Sequence, residues 1–163
     1  MKSAEQWIEA LQLEPHPEGG YYRQTDKSDQ VFKKADGTVA LYTNIYFLLT
    51  RDSPSHFHQL SSDELWFFHA GQPLTVHSLM PDGSYQKTTL SLETEKGDRL
   101  HHTVQAGTVF GSTVEEGYAL VSCTVVPGFD FKDFKLFTKN ELLASHPSHA
   151  GIINRLAYSA LPE

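Results

Sequence analysis

Between Ser55 and Gly71 the chain sets two histidines two residues apart, His56 and His58, then the adjacent carboxylates Asp63 and Glu64, then the aromatic run Trp66-Phe67-Phe68. On a strand, the side-chain period of two places both imidazoles on one face and Phe57 on the other. Two neutral nitrogens and the Glu64 oxygen make a two-histidine, one-carboxylate set suited to iron, manganese, nickel or zinc. The same residues also suit proton transfer without a metal. In that reading His58, its basicity set by Glu64 or Asp63, takes a proton from a carbon next to a carbonyl, and Tyr22 or Tyr46 returns one from the opposite face. Arg23 offers a bidentate contact to a phosphate or carboxylate.

Plainer roles compete for each of these residues. A His-x-His pair also suits an ordinary polar strand face, and Arg23 also suits a surface or dimer-interface charge. Parity along the strand groups Glu64, Trp66 and Phe68 on one side. Trp66 then floors a pocket if Glu64 lines it, and is otherwise plain core. Asp63 is the rival inward carboxylate, because a one-residue slip exchanges the two faces. His69 and His77 fall near strand ends and read as structural; His16, His101, His102, His146 and His149 read as surface residues. Cys123, inside the apolar run Leu120 to Val126, reads as an inert buried thiol.

The elements that must hold these groups are mostly short strands. Ser3 and Gln6 have the spacing of a capping box, and Trp7, Ile8 and Leu11 recur at helical intervals, which predicts a helix over residues 3–12. The run Glu14 to Gly20, with two prolines and two glycines, must turn the chain. Strands are expected at Tyr21 to Thr25 and, around an Asp36-Gly37 turn, at Val31-Phe32 and Val39 to Leu49. A second hairpin signal, Pro81-Asp82-Gly83-Ser84, separates Leu74 to Leu79 from Tyr85 to Leu92. Further strands follow at Leu100 to Val104, between Gly107 and Gly111, and at Tyr118 to Val126. Phe129 to Phe137 alternates in two registers and reads as one strand with a bend. Thr138 and Glu141 repeat the capping-box spacing, so a short helix through Ser145 is expected, stopped by Pro147. About ten closely spaced strands between short terminal helices indicate an all-β barrel or sandwich, able to hold one small ligand between its sheets.

Bulk properties narrow the function classes. A chain of 163 residues fits a single domain over 1–163, with 39% hydrophobic residues and no long charge run. A net charge of −7 disfavours nucleic acid and anionic membrane as partners, which select for basic surfaces. One cysteine excludes an internal disulfide and fits a reducing compartment; with no secretory leader pattern at the start, a cytoplasmic location is expected.

The motifs resemble those of the cupin superfamily. Its first motif has the form His-x-His, three or four residues, Glu, six residues, Gly. Here His56 and His58 are followed by five residues, Glu64, six residues and Gly71. Its second motif ends on a histidine and an asparagine after Pro-x-Gly. In this chain Gln105 stands for the proline, Phe110 for the histidine that would be the fourth metal ligand, and Val114 for the asparagine, so the usual four-ligand site is broken and Phe110 becomes an apolar wall. More closely, Pro17 to Arg23, Ile45 to Leu49, His58 to Trp66 and Val126 to Phe134 resemble the shared segments of a small single-domain cupin family of unknown function. That resemblance implies a homodimeric jelly-roll β-barrel with short N- and C-terminal helices and a pocket similar to those of nucleotide-sugar (dTDP-sugar) epimerases.

Three functions are consistent with these residues. One is an epimerase- or isomerase-like enzyme without a metal, acting on a sugar or nucleotide sugar with His58 as base. The second is a metal-dependent cupin enzyme using His56, His58 and Glu64. The third is a barrel that binds a small ligand without turning it over.

Overall fold

The computed structural model describes residues 1–163, and the strand-rich expectation holds throughout. Helix α1 (Ala4–Leu11) opens the chain, with Ser3 and Gln6 closing the reciprocal capping box that their spacing predicts. Then come β1 (Glu14–Pro15), β2 (Tyr21–Lys27), β3 (Val31–Lys34), β4 (Gly37–Ala40), β5 (Thr43–Thr50), β6 (Ser55–Leu60) and β7 (Asp63–Gly71). The second half supplies β8 (Leu74–Leu79), β9 (Tyr85–Leu90), β10 (His101–Val104), β11 (Val109–Val114), β12 (Tyr118–Val126) and β13 (Phe134–Leu136), then α2 (Lys139–Ser145) and α3 (Ala150–Leu156). No helix is long and apolar enough to cross a membrane.

Two sheets face each other. One has six strands in the order β1-β2-β5-β12-β7-β10, the other five in the order β13-β6-β11-β8-β9, and β3 and β4 form a separate hairpin. The pairings are antiparallel, and the non-sequential order produces a jelly-roll arrangement. The space between the sheets is filled by Phe47, Trp66, Phe68, Leu74, Val76, Phe110 and Val121, all buried. A second core lies outside the five-stranded sheet, where α2 and α3 press Leu142, Ile153 and Leu156 onto Phe57 and Leu79. On the six-stranded sheet, α1 packs Trp7, Ile8 and Leu11 over Leu48 and Leu120.

Three expectations are revised. Val39 to Leu49 is not one strand: the chain breaks at Leu41-Tyr42, so β4 stays with the small hairpin and only β5 enters the barrel. Phe129 to Phe137 is a 3-10 turn at Phe131–Asp133 followed by the short β13, because the Asp130 side chain accepts from Lys132 N–H and starts a turn where alternation suggested a strand. Pro147 ends α2 but not the helical region, since it opens a single 3-10 turn that leads into α3.

Candidate functional site

A cavity of about 250 Å³ lies between the two sheets at one end of the barrel. Its polar lining comes from His16, Glu18, Tyr22, Gln24, Thr43, His58 and Glu64, and its apolar lining includes Ile45, Leu60, Val125 and Phe129. Strand parity explains most of this set. On β5, Thr43, Ile45 and Phe47 alternate inward, and on β7 so do Glu64, Trp66 and Phe68.

The centre of the site is a pair that the strand pattern does not contain. Glu18 sits in the turn between β1 and β2 and is 6% exposed; its Oε2 lies 3.3 Å from His58 Nε2, and His58 is 1% exposed. The second Glu18 oxygen accepts a hydrogen bond from Ser55 Oγ at 2.8 Å. Two glycines allow the turn to press this close. A Cβ on Gly19 would stand 1.9 Å from the Pro54 carbonyl oxygen and one on Gly20 2.4 Å from Leu49 Cδ2, at φ values of +101° and +72° that other residues rarely adopt.

Backbone groups fix the proton positions of all three nearby imidazoles. A carbonyl oxygen only accepts, so the ring nitrogen facing it must carry the proton. His58 Nδ1 lies 2.7 Å from the His56 carbonyl and therefore donates, which leaves the Nε2 lone pair facing Glu18. His56 Nδ1 likewise donates to the Glu18 carbonyl at 2.8 Å. His16 is the opposite case: its Nδ1 accepts from Glu18 N–H at 3.1 Å, so its proton is on Nε2.

Burial disfavours charge throughout this cluster. Desolvation lowers the His58 pKa to about 4, and desolvation followed by the neighbouring His58 lowers that of His16 to about 3. Glu18 is pushed well above the carboxylate range by desolvation, then by repulsion from Glu64, with Ser55 opposing. Glu64 is raised to about 7, mainly by desolvation, with the Trp66 indole and Cys123 thiol opposing. Those two groups face the carboxyl without closing a hydrogen bond: Glu64 Oε2 and Trp66 Nε1 are both sealed from solvent and unpartnered. Desolvation thus shifts Glu18 toward its protonated form and His58 toward the neutral imidazole, whose Nε2 faces the Glu18 carboxyl.

The sequence-derived candidates divide. His58, Glu64 and Tyr22 line the cavity, and Phe110 and Trp66 stand behind it, with the Phe110 ring 4.2 Å from that of His58. Tyr46 points to the other face of β5, toward α1 and His69, as its odd register with Ile45 requires. Arg23 is exposed on the outer face of β2 and donates to the Gln12 side-chain oxygen. Asp63 is exposed and accepts from Ala106 N–H at 2.8 Å, so it is a loop anchor and the partner of His58 is Glu18. His16, expected at the surface, has a side chain only 6% exposed. Cys123 lines the cavity as a buried thiol whose pKa is pushed up by desolvation.

The donor set for a metal does not assemble. His56, with Nδ1 committed to the Glu18 carbonyl, stacks on Tyr158 at 3.8 Å between ring centroids and is not part of the cavity lining. His58 Nε2 is the one open nitrogen of the His56–His58 pair on the cavity, and no three His, Cys, Asp or Glu side chains are grouped so as to hold an ion. His56, His58 and Glu64 therefore do not fit a shared metal.

Glu18 and His16 were missed because their segment reads as a turn, and turn composition carries no information about which side chain points inward. The signal was present in Pro17-Glu18-Gly19-Gly20. A carboxylate followed by two glycines marks a backbone pressed against something.

Comparison with known proteins places this geometry in a family. A family model described as "Cupin superfamily (DUF985)" matches residues 5–137. The uncharacterized protein YML079W of Saccharomyces cerevisiae is 32% identical over 157 residues, covering 85% of this chain and 77% of the yeast protein. The solved structure of protein SO0799 from Shewanella oneidensis is 40% identical, with a TM-score of 0.93 over 98% of this chain and 100% of that one. Bacillus subtilis oxalate decarboxylase shares the fold alone, at 13% identity and a TM-score of 0.56 over 93% of this chain and 40% of the decarboxylase.

Proposed function

We propose, on the premise that the chain belongs to the Cupin superfamily (DUF985), that it is a metal-independent isomerase. It would shift a proton between adjacent carbons of a small 2-hydroxycarbonyl compound of sugar-like character. The observation that carries this reading is the Glu18–His58 contact of 3.3 Å inside the cavity, a carboxyl and an imidazole on one wall, with the His58 proton held on Nδ1 by the His56 carbonyl.

The chemistry balances within that pair. His58 Nε2 takes the proton from the hydroxyl-bearing carbon while Glu18 gives its proton to the carbonyl oxygen, leaving an enediol between an imidazolium and a carboxylate. The imidazolium then protonates the former carbonyl carbon, and Glu18 recovers a proton from the other hydroxyl as that oxygen becomes the new carbonyl. Every proton leaves and returns on the same face, which suits a pair on one wall better than epimerisation, where groups on opposite faces are needed. Net charge in the cavity never changes, which matters where isolated ions are costly to bury. The lining offers no Lys or Arg to a phosphate, so a free sugar-sized compound fits better than a nucleotide sugar.

The test is solvent-deuterium incorporation into small 2-hydroxyaldehydes and 2-hydroxyketones, followed by mass spectrometry. Incorporation at the carbon next to the carbonyl is expected from the native chain. His58→Gln and Glu18→Gln should each lower its rate by about 10²-fold or more. A His58→Gln protein that melts normally and exchanges at the native rate would sink the isomerase reading.

A further inference from the structure

We infer that the ligand of this cavity carries a cationic amine, which the Glu64 carboxylate receives on the wall opposite His58. The inference rests on the cavity being the working site proposed above and adds the charge of what enters it.

Glu64 projects from the six-stranded sheet and His58 from the five-stranded one, so the two face each other across the gap. Glu64 is 7% exposed and turns what surface it keeps to the cavity, while its sealed Oε2 lies by the Trp66 indole and the Cys123 thiol without closing a hydrogen bond, in contrast to Glu18, whose oxygens are engaged by Ser55 and His58. A buried carboxyl this poorly hydrogen-bonded is costly, and a ligand donor on its cavity side offsets part of that cost. An ammonium brings three donors, and a hydroxyl only one.

Charge points the same way. The cavity contains two carboxyls, imidazoles held neutral, and no Lys or Arg, so an anion would find repulsion and no cationic partner. The remaining lining favours cations too: Tyr22, Phe129 and Phe131 surround the space with aromatic rings, whose faces attract ammonium groups. Phe129 and Phe131 pack edge to face at 4.9 Å, and His16 packs edge to face on Tyr22 at 4.5 Å.

Three probes of one shape decide the matter: cyclohexylamine, cyclohexanol and cyclohexanecarboxylate, titrated into the full chain at pH 8 by calorimetry and thermal shift. The amine is expected to bind at least about tenfold more tightly than the alcohol, a loss typical of one charged hydrogen bond, and the carboxylate not at all. Glu64→Gln should bring the amine down to the level of the alcohol. The inference is overturned if the carboxylate or alcohol binds as well as the amine, if none of the three binds, or if the amine preference survives Glu64→Gln.

Should that variant fail to fold, the native chain answers alone. The amine stays charged across the range, so its preference must shrink as the pH is lowered through about 7 and Glu64 gains a proton. Of the other groups on this lining, burial holds the His16 and His58 pKa values at about 3 and about 4 and pushes those of Glu18 and Cys123 up, away from their ordinary ranges. A preference unchanged at pH 5 overturns the inference. Binding of these probes requires no turnover, so failure here is distinguishable from failure of the deuterium exchange.

Discussion

Glu64 makes stability depend on pH in the neutral range. Its folded pKa of about 7 lies above the ordinary 4.5, so the native state holds a proton that the unfolded chain releases. The resulting stabilisation is fully present below 4.5 and is lost as the pH rises to 7, at a rate approaching roughly 1.4 kcal/mol per pH unit. Glu64→Gln removes the titration. Its melting temperature at pH 8 should exceed that of the native chain, and the difference should close as the pH falls toward 4.5. Equal slopes of stability against pH for the two proteins would show that Glu64 ionises freely. His58 and Glu64 were both legible in the sequence because strand parity and motif spacing act locally. The partnership of His58 was not, because Glu18 reaches it across 40 positions through a turn whose direction is set by what it packs against.

At the scale of elements, the Pro15–Gly20 turn is the part on which the site depends. His16 N–H donates to the Gly20 carbonyl at 3.0 Å, Gly19 N–H to that of His16 at 2.9 Å, and His56 N–H to that of Glu18 at 2.7 Å, so the turn is tied both to itself and to β6. Gly19→Ala forces a clash with the Pro54 carbonyl and should lower stability by more than about 1 kcal/mol while displacing Glu18 from His58, so exchange activity falls further than stability does. Gly83→Ala is the control. Its φ is +87° but its Cβ would meet nothing within 4 Å, so denaturant melts should record a cost of about 1 kcal/mol with exchange untouched. The sequence marks both glycines as turn residues in the same way. Only packing separates a glycine needed for close approach from one needed for backbone angle alone. The same limit explains the misreading of Phe129 to Phe137, where alternation resembled a strand and a side-chain bond from Asp130 decided otherwise.

On the scale of the whole molecule, the all-β jelly roll was readable because turn residues punctuate the chain regularly and the strands between them are rich in apolar and aromatic residues. The small β3–β4 hairpin has a role that its sequence did not reveal. Lys34 on β3 pairs with Asp133 at 2.7 Å, Lys132 approaches Asp36 at 3.5 Å, and the Gly128 N–H donates to the Ala40 carbonyl at 2.8 Å. The hairpin thereby fastens the Phe129–Phe131 segment that forms the aromatic wall of the cavity. The Lys34 and Asp133 side chains keep about one-fifth of their surface in solvent, and an ion pair still in touch with water contributes about 0–1 kcal/mol to stability. Lys34→Ala should therefore scarcely change the melting temperature. Because the wall it secures is apolar and touches the ligand, the variant should instead weaken binding of the cyclohexyl probes severalfold, as should high salt with the native chain. A native affinity in Lys34→Ala would mean that the wall holds itself.

The proton locked between His58 Nδ1 and the His56 carbonyl gives the cavity a built-in spectroscopic reporter. A buried imidazole N–H at 2.7 Å from its acceptor should exchange with solvent slowly enough to give its own resonance, well downfield of the amides. With the His58 pKa at about 4, the nitrogen shifts of a single Nδ1–H tautomer should hold constant from pH 5.5 to pH 8. Any ligand that draws the Nε2 lone pair into a hydrogen bond would move both nitrogens at once. One labelled histidine can thus report occupancy, protonation and tautomer from inside the barrel, even for compounds that are bound and never converted.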